Sequence, residues 1–274
     1  MFLICAVVPA QNEAGRIGRV VERLLKISVD AVIAVVNGST DGTPEELTGF
    51  PPDRVHTLSF PETLGLDVPR VIGAACALKM GAAGVIFIDG DMAEVSLDAL
   101  RRLKDAVTGG IDLALTDCYP PEAPPPDSPV TKRLLHLRKE LNRCLGKPEL
   151  GWASPAHGPH AASSRFLQTV PLRELSVPPV ALCLGILAGL EVAVAAGIAH
   201  HKLGSPARGS LHSARIAATI TGDCLEALSI CRGLPRTRKQ DAIFYDGYDS
   251  SRRRDIMESY LAALKNPGAR PAIT

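Results

Sequence analysis

Val85-Ile86-Phe87-Ile88-Asp89-Gly90-Asp91 reads as a short buried strand that ends abruptly in two carboxylates. An apolar run with no polar alternation suits a central parallel strand covered on both faces. Open α/β sheets bind their ligands at the C-terminal ends of such strands. Residues i and i+2 of an extended segment point the same way, so Asp89 and Asp91 can serve one site. Gly90 between them leaves room for a ligand to approach the backbone closely. Paired hard oxygen ligands beside a phosphate suit Mg²⁺ or Mn²⁺. The same three residues also read as a strand followed by a solvated acidic turn.

Upstream, the chain alternates. A strand at 3–8 runs into Pro9-Ala10-Gln11-Asn12-Glu13-Ala14-Gly15, and a helix follows with Ile17, Val20, Val21, Leu24 and Leu25 on one face. A second strand, 31–36, ends in Asn37-Gly38-Ser39-Thr40-Asp41-Gly42-Thr43. Thr43 before Pro44 and Glu46 predicts a helix N-cap with its capping-box partner. A weak strand at 55–60 and an Ala-dense helix at 70–82 lead to the strand at 85–88. This β-α-β-α-β order with short connections predicts an α/β fold with parallel strands and right-handed crossovers.

Downstream of Met92 a helix is expected at 97–107 and a strand at 112–116. Residues 119–127 are too rich in proline for regular structure. A charged amphipathic helix at 131–145 precedes a turn-rich loop at 151–160 that holds the only tryptophan. The proline-rich segment reads as a rigid spacer or a mobile flap; both segments are expected to flank the acceptor side of the cleft, at least one of them poorly ordered without ligand. A helix at 210–232 and a polar tail follow, with Arg252-Arg253-Arg254 on a solvated helix face.

Composition narrows the class. The 274 residues suffice for one large α/β domain or two small ones. A formal net charge of +1 and few aromatics exclude a chain built to hold nucleic acid. Seven cysteines without a CxxC pair predict reduced thiols in a cytoplasmic protein. The apolar N-terminus has no basic region and is read as the first strand, not a signal peptide. Residues 177–199 are almost entirely apolar, but Pro178, Pro179, Glu191 and three glycines interrupt them. They are expected to form a buried helix at 180–196 and a strand at 198–202, not a membrane span.

Three motifs now stand in order: Pro9-Ala10-Gln11-Asn12-Glu13, the loop from Asn37 to Thr43, and Asp89-Gly90-Asp91. Together they resemble the family-two glycosyltransferases of the GT-A fold. Those show Pro-Ala-x-Asn-Glu, then Asp-Asp-Gly-Ser-Thr-Asp-Gly-Thr, then Asp-x-Asp. The resemblance covers residues 1–95 and implies a Rossmann-like, mostly parallel sheet flanked by helices. It further implies one domain at 1–232, with a nucleotide-sugar half at 1–95, an acceptor-side half at 96–232, and a polar extension at 233–274. The implied activity is metal-dependent transfer from a nucleotide-diphospho-sugar to a small-molecule or lipid-linked acceptor, with Mg²⁺ or Mn²⁺ as cofactor. Donor contacts fall on Pro9, Ala10, Gln11, Glu13, Asn37, Gly38, Ser39, Arg70, Asp89 and Gly90. Asp91 becomes the direct metal ligand, and Asp89 the contact to ribose or metal-bound water. A histidine usually completes the set. The candidates are His200, His201 and His212, with His201 favoured because strand alternation turns only one of the first two to the cleft. Glu13 could instead simply favour a helix N-terminus, Asp41 could only orient its own loop, and Arg70 could be a plain surface arginine.

A second resemblance, to the retaining glucosyl-3-phosphoglycerate synthases, runs from Val130 to Pro171. It rests on Pro129-Val130-Thr131-Lys132, Lys147-Pro148-Glu149-Leu150-Gly151 and Ser154-Pro155-Ala156-His157-Gly158-Pro159-His160. It implies a retaining transferase in which Thr131 helps hold the acceptor; His157, Gly158 and His160 are placed on the same side, where the two histidines could bind acceptor or donor phosphate or equally serve only the structure of the loop. Three departures count against 3-phosphoglycerate as the acceptor and motivate a weakly active or non-catalytic sugar-nucleotide-binding protein as the alternative. Val36-Asn37 replaces two aspartates, an arginine is missing near Pro129, and a carboxylate is missing near Cys183. A nucleotidyltransferase would need a glycine-rich basic loop after the first strand, where Pro9 to Glu13 has none. Homodimerisation is left open by the sequence.

Overall fold

In the computed structural model, which describes residues 3–206 and 209–264, strand parity sets the two faces of a central sheet. Along β1 (Ile4–Ala10), Ile4, Ala6, Val8 and Ala10 enter one core and Cys5 and Val7 the other. α1 (Ile17–Lys26) covers the first face with Ile17, Val20, Val21 and Leu24. β2 (Ala31–Asn37) repeats the division, with Val32, Ala34 and Val36 opposite Ala31, Ile33 and Val35. A strand covered on both faces requires such an unbroken apolar run.

The chain continues through α2 (Thr43–Leu47), β3 (Val55–Phe60), α3 (Val68–Lys79), β4 (Gly84–Phe87), α4 (Leu97–Thr108), β5 (Leu113–Asp117) and α5 (Pro129–Cys144). Next come β6 (His160–Ser163), α6 (Ser164–Thr169), α7 (Pro178–Leu187), β7 (Val192–Gly197) and α8 (Ser210–Cys231). A hairpin of β8 (Lys239–Gln240) and β9 (Ile243–Phe244) leads to α9 (Arg254–Leu264). The main sheet has seven strands in the order β3-β2-β1-β4-β6-β5-β7. β6 runs antiparallel to β4 and β5, and the other pairs are parallel. α3 sits directly on β1: a Cβ at Gly73 would lie 2.4 Å from Val7 Cγ1.

Four expectations are corrected. The helix expected at 180–196 stops at Leu187, because Gly189 takes a left-handed φ of 75°. The strand then begins at Val192, pairing with Leu113, so the strand expected at 198–202 is already over. His200 and His201 lie on a 3-10 turn at His200–Lys202, which removes the alternation argument that favoured His201. Among the described residues no helix is long and apolar enough to cross a membrane.

The third correction concerns sulfur. Cys144 of α5 and Cys231 of α8 form a disulfide with Cα atoms 6.5 Å apart, and the other five cysteines are buried thiols. The fourth concerns the segment expected as a polar extension. α9 packs against the second core through Met257, Ile256, Tyr260 and Leu261. Arg252 is not on a solvated face: its side chain is 0% exposed, among Asp223, Asp249 and Asp67. Residues 265–274 of that extension lie outside the described residues.

Candidate functional site

Parallel pairing brings the C-terminal ends of β1, β2 and β4 side by side, with Ala10 across from Val36 and Val7 across from Phe87. The loops leaving these ends therefore meet. The second loop holds the first in place. Ser39 Oγ accepts the Asn12 N–H at 3.1 Å, Thr43 Oγ1 that of Glu13 at 2.7 Å, and Asp41 Oδ2 that of Ala14 at 3.1 Å. Asn12 reciprocates, its Oδ1 accepting the Thr40 N–H at 2.8 Å. The expected capping box is not formed. Gly42 precedes α2, and Glu46 instead accepts the N–H groups of Gly15 and Gly18 at 2.7 and 3.0 Å. It thereby satisfies donors at the start of α1 that the helix itself leaves open.

Asn37 is 4% exposed and committed internally. Its amide donates to the Ala10 carbonyl at 3.0 Å and accepts the Leu64 N–H at 3.0 Å. Gly38 beside it has φ 56°, and a Cβ there would lie 2.8 Å from the Thr63 backbone nitrogen. Gln11 Nε2 donates to Thr63 Oγ1 at 2.7 Å, closing this side of the site.

Past the end of β4 the ladder to the first strand continues, with Gly90 N–H donating to the Pro9 carbonyl at 2.9 Å. A Cβ on Gly90 would meet that carbonyl at 3.1 Å and Glu13 Cγ at 3.3 Å, so the first loop rests on bare backbone. The flanking carboxylates differ. Arg70 Nη2 donates to both oxygens of Asp89, at 2.7 and 2.9 Å, while its Nη1 pairs with Asp67. Burial opposes the Arg70 charge, but Asp89 and Asp67 outweigh it and raise its pKa. Asp67 also meets Arg252 Nη2 at 3.3 Å and takes a left-handed φ of 65°, a conformation costly to a non-glycine residue. Asp91 accepts the Ser205 hydroxyl at 3.0 Å.

These parts line one cleft of about 530 Å³. Of the residues expected in the site, Pro9, Ala10, Gln11, Glu13, Asn37, Arg70, Asp89, Gly90 and Asp91 border it. Ser39 and Asp41 support the first loop from behind. The opposite wall was not legible in the sequence: Arg215 and Ile216 of α8, and Tyr248 and Ser251 from the C-terminal segment. Arg215 lies 4.2 Å over the Tyr248 ring and donates to the Gly247 carbonyl. His212 is the one of the three candidate histidines on this wall, its Nδ1 2.8 Å from the Tyr248 hydroxyl. His201 is exposed and does not border the cleft, although its segment continues to Ser205 on Asp91.

None of the residues expected on the acceptor side borders this cleft. Thr131 opens α5, its N–H accepted by Ser128 Oγ at 3.1 Å. Gly158 has φ 75° against Cys118, and a side chain there would strike the thiol. His157 contacts Arg138 and His200. His160 is 5% exposed and stacks on Phe87 at 5.0 Å, and burial followed by Arg70 pushes its pKa down to about 3. This ring is therefore neutral and packed into the sheet, and it does not border the cleft.

A divalent cation would find few donors among these side chains that are not already committed. Asp89 has both oxygens on Arg70, so a cation here would draw on the Asp91 carboxylate and, from the opposite wall, the His212 imidazole. Oxygen with one imidazole and open positions fits Mg²⁺ or Mn²⁺. Among the described residues the closest cluster of metal-type ligands is Asp223, Glu226 and Asp249, but Arg238 Nη1 already sits 2.6, 2.8 and 3.4 Å from them. That cluster holds guanidinium, not metal.

Residues 5–153 match the family described as "Glycosyl transferase family 2". A polyprenol monophosphomannose synthase of Mycolicibacterium smegmatis (strain ATCC 700084 / mc(2)155) is 33% identical over 119 residues, covering 42% of this chain and 44% of that protein. The match thus spans less than half the length of that relative. Among solved structures, glucosyl-3-phosphoglycerate synthase from Mycobacterium tuberculosis with Mn²⁺, UDP and phosphoglyceric acid superposes with TM-score 0.60 at 22% identity. It covers 85% of this chain and 80% of that one. The same synthase with Mg²⁺ and UDP gives TM-score 0.61 at 22% identity over the same shares. At this identity the likeness shows the fold, the GT-A arrangement expected from the motifs.

Proposed function

Because the chain belongs to glycosyl transferase family 2, we propose that it transfers a hexose from a nucleotide-diphospho-sugar, with Mg²⁺ or Mn²⁺, to a small-molecule or lipid-linked acceptor. The observation that carries this reading is convergence. Three motifs separated in sequence border one cleft whose two carboxylates have different partners. The polyprenol monophosphomannose synthase among the relatives supports a lipid-linked acceptor, and the metal-bound synthases support the cofactor.

In this reading Asp91 holds the metal, with His212 or His201 as the imidazole partner, and Asp89 meets the donor's ribose. When bound, the cation supplies charge stabilisation to the departing diphosphate. The chain's own residues do the rest. Arg70 holds Asp89 in place, one guanidinium nitrogen donating to both of its oxygens. The first loop, resting on Gly90, offers backbone to the nucleotide, and Tyr248 closes the other side. Inversion needs a carboxylate poised as base. Glu13 is paired with Arg16 at 2.7 Å, Asp67 and Asp89 with Arg70, and Asp91 is assigned to the metal. The leaving phosphate oxygen is then the remaining base, on the face the leaving group departs from, which favours retention.

The test is release of free nucleoside diphosphate from UDP- and GDP-sugars with Mn²⁺, with and without a polyprenyl phosphate. Tight metal-dependent binding without turnover for any donor would instead favour the non-catalytic alternative, for which the inward commitment of Asn37 is the motive.

A further inference from the structure

Arg138 of α5 is a buried cation without an anion. It is 5% exposed, its Nε has no hydrogen-bond partner, and among the described residues no carboxylate pairs with it. The other buried arginines among the described residues are matched: Arg70 by Asp67 and Asp89, Arg252 and Arg238 by Asp223. Burial lowers the Arg138 pKa, opposed only by Cys224, Tyr119 and Cys118. Burial in turn pushes both thiols up to about 12, so neither brings negative charge. Burying a charge unpaired is costly, and a fold retains one where something else completes it.

Its neighbours give the unpaired charge a direction. Arg138 Nη1 lies 3.0 Å from His157 Nδ1, and His157 Nε2 lies 2.9 Å from His200 Nδ1. Guanidinium only donates, so His157 Nδ1 accepts and its Nε2 must carry the hydrogen. His200 Nδ1 then accepts in turn, which leaves Nε2–H as the donor of an exposed ring. Tyr119 sits against both rings, at 5.3 and 5.9 Å between centroids, and Trp152 meets Tyr119 edge-on at 6.4 Å. The cluster is built, not incidental. Asn142 ties the Trp152 loop to α5 through the Gly151 and Ala153 carbonyls, and His200 N–H is held by the Cys118 carbonyl at 2.9 Å. It stands at the C-terminal end of β5, on the edge that carries Asp89 and Asp91, and the segment leaving His200 reaches Asp91 through Ser205.

We propose that Arg138, His157 and His200 form a relayed oxyanion site that receives a phosphate monoester carried by the acceptor, its organic part lying on Tyr119 and Trp152. An exposed imidazole N–H, backed through a second imidazole by a buried guanidinium, suits an oxyanion. The inference rests on the glycosyltransfer reading for the word acceptor, but the site itself does not.

The test uses the full chain with saturating UDP and Mg²⁺, so that the nucleotide subsite is filled before the probe is added. Thermal midpoints are compared in inorganic phosphate, in hexyl phosphate, and in sodium chloride of equal ionic strength. The wild type should gain about 3 °C from either phosphate at tenfold excess over its Kd, and nothing from chloride. Arg138→Met should lose at least tenfold in phosphate affinity. His200→Gln, at an exposed ring that cannot compromise folding, should lose several-fold. UDP binding should persist in both. No phosphate response in the wild type, or an undiminished one in His200→Gln, overturns the site. A response to inorganic phosphate alone, with hexyl phosphate excluded, overturns its assignment to the acceptor. Failure of UDP to bind while phosphate binds refutes the donor reading and leaves the oxyanion site standing.

Discussion

Asp89 and Asp91 stand two residues apart yet have different partners, and substitution should separate them. Asp91→Ala, at a strand end outside the core, should abolish Mn²⁺-dependent nucleotide binding in calorimetry while the fold persists. Unchanged affinity would remove Asp91 from the metal site. Arg252 makes a larger claim on stability. Its removal takes one of two guanidinium partners from each of the buried Asp223 and Asp67, leaving Arg238 and Arg70, so Arg252→Ala should cost about 3 kcal/mol in urea unfolding. Lysine should not restore it, because a single ammonium cannot repeat the forked contacts to Asp223 and Asp249. His160 gives a pH signature. Its folded pKa of about 3 lies below the unfolded value, so between the two the unfolded chain binds the extra proton. Stability therefore falls as pH drops from about 6.5, by about 1.4 kcal/mol per pH unit from this group. His160→Leu should make that part of the profile shallower in unfolding measured from pH 7 to 4, with His157, whose pKa burial also lowers, still contributing a slope of the same sign. The Asp-Gly-Asp pair was legible because strand, turn and carboxylates are all local. Arg252 was not, because a run of three arginines looks solvated until Asp67, 185 residues away, is placed beside it.

At the scale of elements, the first 95 residues read well because each strand there is a buried parallel run and each helix carries a clean apolar face. β6 escaped reading because His160-Ala-Ala-Ser is four residues of no pronounced preference, fixed by antiparallel neighbours on both sides. β7 was absorbed into a helix because Ala and Val suit either, and only Gly189 marks the break. The two loops, at least one of which the sequence leads one to expect poorly ordered, differ in their tethers. Residues 151–160 are tied by Asn142 and by the Thr116 hydroxyl on the Pro159 carbonyl at 2.6 Å. Residues 119–127 form no regular element. Amide exchange should therefore be slower in 151–158 than in 121–127, and Asn142→Leu should erase the difference. Equal rates in the unaltered protein would show that these tethers do not hold.

Across the whole molecule the C-terminal segment completes the cleft that the N-terminal motifs begin. Gly65 has φ 83°, and a Cβ there would lie 2.4 Å from the Ser251 carbonyl, so residues 248–252 are fitted against the donor half. Ending the chain at residue 232, where composition turns polar, would remove Tyr248, Arg238 and Arg252 together. Such a truncation should fail to bind nucleotide and should unfold well below the full chain in a thermal scan; a stable, nucleotide-binding product would refute the part assigned to this segment. The Cys144–Cys231 bond has a different consequence, one of connectivity. It closes 87 residues of sequence separation into a covalent ring that contains β6, α6, α7 and β7. A protease that cuts once inside this ring leaves both fragments in a single molecule. On a non-reducing gel the nicked protein would migrate as one species, and a reducing agent would split it into a piece bearing Asp89 and Asp91 and a piece bearing Tyr248 and Arg252.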